Sequence, residues 1–291
     1  MPTTRPGPAA ARSRQRVAVR RRRRRLTLLL VLALVVTGGW FGVRAVVQSI
    51  ASPQCTITAA GTTETFDPEQ TGNAALIAAL AVKRNLPPRA ATIALTTSLQ
   101  ESKIRNLRFG DRDSLGLFQQ RPSQGWGTAD QILDPVHATN AFYDALVRYP
   151  GYETADITKI AQRVQKSGYP EAYRDHEGQG RVLASTLTGH SPAGLTCRLD
   201  AVKGTPATPQ QVASDLAHQM GVTTVRTGDG YLTVTTSSTT TAWAVAQWSV
   251  ARADLYGATK VAVGDRAWNR SSGDKGWSSG RDGTTVTVNL G

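Results

Sequence analysis

The chain has 291 residues, of which 40% are hydrophobic, with two cysteines, four histidines and a formal net charge of +13. That charge suggests nucleic acid until it is located: eleven arginines and no acidic residue fall in residues 1–50, which leaves 23 basic against 21 acidic residues beyond. A near-neutral body argues against a nucleic-acid partner, and histidines scattered at 137, 176, 190 and 218 without ligand spacing indicate neither a metal nor another cofactor.

Arg20 to Arg25 form an unbroken basic run directly ahead of residues 26–43, an uncharged and largely apolar stretch. As a helix it would be roughly 27 Å long, close to the thickness of a bilayer core. A transmembrane helix is therefore expected over residues 26–48, with 1–25 as a cytoplasmic basic tail and the remainder exported. Trp40 and Phe41 suit the far interface. The small-residue pattern Ser49-Ile50-Ala51 supports a cleaved signal instead, but Arg44 separates it from the apolar run and favours an uncleaved anchor. Residues 49–71, rich in Thr, read as a tether. Cys55 and Cys197, the only two thiols, would lie in the oxidising space and are expected to bond. The cross-link would contribute roughly 4–5 kcal/mol in the chain-entropy description.

A first helix is expected near residues 73–84. Leu86-Pro87-Pro88-Arg89 reads as the start of a second, in which Ala90, Ile93, Ala94, Leu95 and Leu99 recur at helical spacing up to Glu101. A carboxylate in the last turn meets the negative end of the helix dipole, and burial there pushes it toward its protonated form. Lys103 and Arg105 would oppose that if their side chains turned toward it. The polar loop that follows carries Gly110-Asp111-Arg112-Asp113, then Ser114-Leu115-Gly116-Leu117-Phe118-Gln119 and Pro122. Gln119, Gln120 and Gln124 offer paired donors and acceptors suited to sugar hydroxyls and acetamido groups. Trp126 is equally a core plug or a stacking platform. Asp134-Pro135 opens another helix containing Ala141, Phe142, Ala145 and Leu146, and helical spacing continues through 157–166 and 180–187.

The helix ending in Glu101-Ser102, the loop, the Ser-x-Gly-Leu-x-Gln-like segment at 114–119 and the nearby Pro122 resemble the soluble lytic transglycosylases and, more distantly, the goose-type lysozymes. The resemblance covers roughly residues 72–190. It implies a catalytic acid and base at Glu101, with Ser114, Gly116 and Gln119 lining a cleft that holds peptidoglycan glycan strands. It also implies cleavage of the β-1,4 bond between N-acetylmuramic acid and N-acetylglucosamine. Two departures stand out. The family's Ala-Tyr-Asn-Ala-Gly segment has only Gln165-Lys166-Ser167-Gly168-Tyr169-Pro170 as a counterpart, so its aromatic role passes to Tyr169, with Tyr173 in competition. Asp111 and Asp113 add carboxylates beside the cleft. Either one could serve a two-carboxylate hydrolase, whereas the family's transglycosylases need only one; as turn residues the two would merely bond nearby amides. A protein that keeps the cleft without the chemistry, serving as a wall-binding scaffold, is the alternative reading.

Residues 198–208 look like a linker. Beyond it come a helix at 209–220, a hairpin of 222–226 and 231–235 around Gly228-Asp229-Gly230, an amphipathic helix at 242–256, a strand at 260–263, a Gly/Ser-rich loop and a strand at 284–290. The expected fold is thus a mainly α lysozyme-like catalytic domain (72–197) with a short β element at the cleft, a small C-terminal α+β domain (209–291) open to an unknown protein partner, and the N-terminal transmembrane helix. The expected place is the cell membrane, single-pass, with the catalytic domain outside the cytoplasm.

Overall fold

Residues 54–66, expected within the tether, instead form a hairpin. Strands β1 (Gln54–Ala59) and β2 (Thr62–Phe66) pair antiparallel around Ala60-Gly61. Both turn residues have positive φ, which matches the twist of the flanking strands. Cys55, Ile57 and Ala59 alternate onto the buried face, and threonine suits a pleated surface, so a polar-looking stretch is a strand by its period of two. The free edge of β1 pairs with β3 (Leu195–Arg198), where Cys55 and Cys197 stand directly opposite and are joined by the disulfide.

The computed structural model describes residues 26, 30, 31, 33–41, 43, 52–165 and 170–291. The basic tail and residues 44–51 lie outside them. Two expectations of fold class are corrected. First, among the described residues no helix is long and apolar enough to cross a membrane. Residues 33–41 are helical and exposed. Thr37, Gly38 and Gly39 dilute the apolar character of that stretch. Second, ahead of the expected C-terminal α+β part, β structure is not confined to a short cleft element: among the described residues there are two antiparallel sheets, a three-stranded one of order β2-β1-β3 and, in the C-terminal half, a five-stranded one. At the cleft itself the β element reduces to the bridges Leu107↔Gly116 and Leu115↔Gln120.

Helix α1 (Pro68–Lys83) begins earlier than periodicity indicates because Asp67 and Gln70 form a capping box. Residues 74–81 are all buried, so this helix is a central post rather than a surface element. Against it pack α2 (Pro88–Ser102), α4 (Pro135–Leu146), α7 (Pro209–Met220) and α8 (Thr239–Ala251). The short α3 (Ala129–Leu133) precedes α4. Helix α5 (Ile157–Gln165), a 3-10 turn (Pro170–His176) and α6 (Glu177–Leu187) complete the N-terminal part, with α6 lying along α2.

The C-terminal part follows the expected order with additions. After α7 come β4 (Val225–Gly228), β5 (Tyr231–Thr235), α8, α9 (Ala253–Tyr256), β6 (Ala258–Val263), β7 (Arg266–Asn269), a 3-10 turn (Arg270–Lys275) and β8 (Thr285–Leu290). The sheet order is β4-β5-β8-β6-β7. Strand β7 and the turn occupy the expected Gly/Ser-rich loop. Helix α8 is not amphipathic: residues 242–251 are buried on every side, since it packs against α1, α6, β3, β6 and β8 together.

The two parts therefore share one core, and Pro53–Gly291 is one compact unit. Gln247, fully buried on α8, donates to the carbonyls of Thr186 (2.7 Å) and Ser191 (3.2 Å) and accepts from the Leu195 amide (3.0 Å). Trp277 donates to the Leu195 carbonyl at 2.8 Å. Gly189, with φ of 86°, lets the backbones meet, since a Cβ there would lie 1.9 Å from the Thr240 carbonyl. Gln247→Leu keeps the volume but strands three buried backbone groups. It should lower the unfolding free energy by roughly 2–4 kcal/mol in urea titration; a loss under about 1 kcal/mol would mean that these bonds do not tie the parts together.

Candidate active site

Glu101 occupies the last turn of α2, half-buried, with the Tyr173 hydroxyl donating to its Oε1 at 2.6 Å. Burial pushes its pKa above the ordinary 4.5, and hydrogen bonds from Tyr173 and then Gln165 pull the other way. Burial wins because those two neutral donors replace only part of the water a carboxylate loses.

The two neighbouring cations do not neutralise it. Lys103 sits in the left-handed conformation that ends α2, and its Nζ meets His176 Nε2 at 2.9 Å. From there His176 contacts Gln179, which donates to Glu64 at 3.0 Å. Arg105 is drawn to the start of α1, where it pairs with Asp67 and Glu69. Among the described residues no cation pairs with the carboxyl, which is partly withdrawn from water.

The segment 114–120 folds as a tight hairpin in which Leu115 and Gln120 exchange both backbone bonds, at 2.9 and 3.0 Å. Its Leu117 carbonyl accepts from the hydroxyls of Ser98 (2.9 Å) and Ser102 (2.7 Å), and its Phe118 carbonyl accepts from Gln165 Nε2 (2.5 Å). The hairpin is thereby clipped between α2 and α5. Ser102, the serine beside Glu101, is a clamp rather than a reactant. Gln165 both touches the hairpin and bears on Glu101, a role that residue order alone does not indicate.

The other expected site residues have these places. Ser114 is buried, its amide bonded to the Asp111 carbonyl at 3.0 Å. Gly116 has φ of 75°, and a Cβ there would lie 2.7 Å from the Ile132 carbonyl, so it is required by packing. Gln119 is half-buried at φ 46°, its amide folded over its own loop toward the carbonyls of Gly116 (3.3 Å) and Phe109 (3.4 Å). Tyr169 lies outside the described residues, and Tyr173 is the aromatic on Glu101. Asp113 accepts from Arg121 Nε (2.8 Å), the Ser123 amide (2.8 Å) and the Ser123 hydroxyl (3.0 Å). The Arg121 bond and then those from Ser123 hold it well below the usual carboxylate range. Asp111 is almost wholly in solvent beside Arg112. Among the described residues no three His, Cys, Asp or Glu side chains gather as metal ligands.

A groove of about 430 Å³ runs beside α5, lined by Gln124, Trp126, Ala141, Arg148, Tyr149 and Val164 among others. Val164 precedes Gln165, so the groove and the Glu101 contact lie one residue apart on the same helix. Trp126 packs against the core and also lines the groove. No protein-family model matches the chain, and no curated protein matches it.

The raised pKa has a consequence for stability. The fold favours protonated Glu101, a contribution complete below 4.5 and lost as pH rises through the folded value. Glu101→Gln keeps the neutral shape, so it should match the wild type below pH 4.5 and exceed it in stability at higher pH, as read by urea unfolding across pH. The opposite trend would mean that burial does not dominate. In Tyr173→Phe, which removes a donor to the carboxylate, the Glu101 carboxyl carbon should titrate at higher pH than in the wild type by NMR.

Proposed function

We propose that this protein cleaves the β-1,4 glycosidic bond between N-acetylmuramic acid and N-acetylglucosamine in peptidoglycan, with Glu101 as acid and base. The observation that carries the reading is the half-buried Glu101, biased toward protonation, held by Tyr173 and set at the end of α2 against the clipped 114–120 hairpin. A carboxyl that burial biases toward its protonated form can donate that proton to a leaving oxygen.

The single-carboxylate route is the better supported one. Glu101 protonates the glycosidic oxygen as the bond to the muramic C1 breaks, releasing the glucosamine 4-hydroxyl. The muramic 6-hydroxyl attacks C1 and gives its proton to the Glu101 carboxylate, which returns the acid to its starting form and leaves a 1,6-anhydro ring. A two-carboxylate hydrolase needs a second group free to activate water or attack C1. Asp113 is committed to Arg121 and Ser123, and Asp111 is in bulk solvent. The groove beside α5, with Trp126 and Tyr149, offers aromatic faces for further sugars. The Cys55–Cys197 bond supports an oxidising compartment outside the cytoplasm, where this substrate lies.

Purified sacculi incubated with the full chain should release muropeptides ending in 1,6-anhydro sugars, and Glu101→Gln should reduce release by at least about 10²-fold while still binding sacculi. Asp113→Asn should retain the chemistry. Equal turnover by Glu101→Gln would remove Glu101 as the acid, and reducing-end products abolished by Asp111→Asn or Asp113→Asn would replace the transglycosylase route with hydrolysis.

A further inference from the structure

A second cavity, of about 360 Å³, opens at the other end of α2 and is lined by Pro88, Arg89, Thr92, Arg181, Ser185 and His190. Arg89 lies roughly 18 Å along the helix from Glu101. Thr92 and Glu101 are nine residues apart, which at 100° per residue puts them on opposite faces. This cavity is therefore separate from the proposed glycan site.

Its lining contains three basic side chains and no acidic one. The first turn of α2 carries no acidic residue either. Arg89 is held in place by donating from Nε to the Tyr152 carbonyl at 3.3 Å and from Nη2 to the Ala155 carbonyl. Carbonyls orient a guanidinium without cancelling its charge, so Arg89 presents a fixed, unneutralised cation. Asp156, next to Ala155, is turned to the Lys159 amide and toward Arg174. Arg181 is paired with Glu177 and sits on the wall as a neutralised fork. Ser185 and Ser191 share one hydrogen bond at 2.8 Å in which either can donate, so Ser185 can turn its own proton into the cavity when Ser191 donates. His190 donates from Nδ1 to Thr188 at 3.0 Å, because the Thr188 hydroxyl proton goes to the Ala184 carbonyl at 2.6 Å, and this leaves Nε2 of the neutral ring to accept the proton of a hydrogen phosphate.

We infer that this cavity binds a phosphate group, anchored on Arg89 and completed by Ser185, Arg181 and His190. These groups come from α2, α6 and the loop after α6, and they approach from several directions. That suits a tetrahedral anion with three oxygens to satisfy better than a planar carboxylate, which one guanidinium fork can saturate.

The test is isothermal titration of the full chain with inorganic phosphate and with glycerol 3-phosphate, at ionic strength held constant with sodium chloride. Saturable binding at one site is expected. Ser185→Ala, which leaves the ion pairs and the Arg89 anchor intact, should weaken it several-fold, and Arg89→Gln at least about tenfold. Because Arg89 also holds Tyr152 and Ala155, the Arg89→Gln result counts only if its melting temperature stays near that of the wild type; otherwise Ser185→Ala and His190→Gln decide. Equal affinity for both probes identifies an ester-bearing ligand, and preference for inorganic phosphate identifies the free ion. No saturable heat above the chloride control, or Ser185→Ala and His190→Gln binding as the wild type does, overturns the assignment. The result is independent of whether sacculi are cleaved.

Discussion

The antiparallel pairing of β1 with β3, locked by Cys55–Cys197, is the constraint on which the rest depends. It closes a segment 142 residues long in sequence, which includes α1, α2, the hairpin and α5. The same strand hands the fold to its other half: Leu195, two residues before Cys197, has its amide held by Gln247 and its carbonyl by Trp277. Without that register the central helices would have no fixed floor, and the Gln247 side-chain oxygen on α8 would lose its donor, the Leu195 amide. The cross-link limits the unfolded chain, while the buried polar contacts select one arrangement of the folded one.

At the candidate site the governing balance is between desolvation and hydrogen bonding. Two neutral donors offset the burial of Glu101 only in part, and the two nearby cations are engaged elsewhere, one with His176 and the other with Asp67 and Glu69. An arginine turned inward would have held the carboxyl ionised and unfit to donate a proton. The supporting contacts are mostly serine and glutamine side chains bonded to main-chain carbonyls at short range. They hold the 114–120 hairpin against α2 and α5 without placing another charge near the carboxyl.

The N-terminal and C-terminal parts show why local pattern reads some elements and not others. Helix α7 and strand β5 were legible at their bounds because a capping box and a glycine punctuate the first, and strict alternation marks the second. The hairpin of β1 and β2 was hidden under a threonine-rich composition that reads as polar tether. Helix α8 has apolar residues at amphipathic spacing, yet it is buried all round because elements from both ends of the chain enclose it. A helix covered by distant partners carries no exposed face for periodicity to detect.

Much of the site was legible in residue order alone. A carboxylate closing an apolar helix, followed by a Gly-Leu-Phe-Gln turn, placed Glu101 and the hairpin, and the cysteine count placed the disulfide, because each of these rests on neighbouring residues or on there being only two thiols. What a side chain faces after folding is a long-range matter, and there the tertiary structure decided. It turned Lys103 and Arg105 away from Glu101, tied Asp113 to Arg121 and Ser123, made Gly116 a packing requirement, and brought Tyr173 and Gln165 onto the helix end from some 70 residues further on. Chain sequence encodes helical spacing and turn chemistry within a few residues, whereas the strength of an acid depends on which distant groups exclude water from it, and that is set only when the core closes.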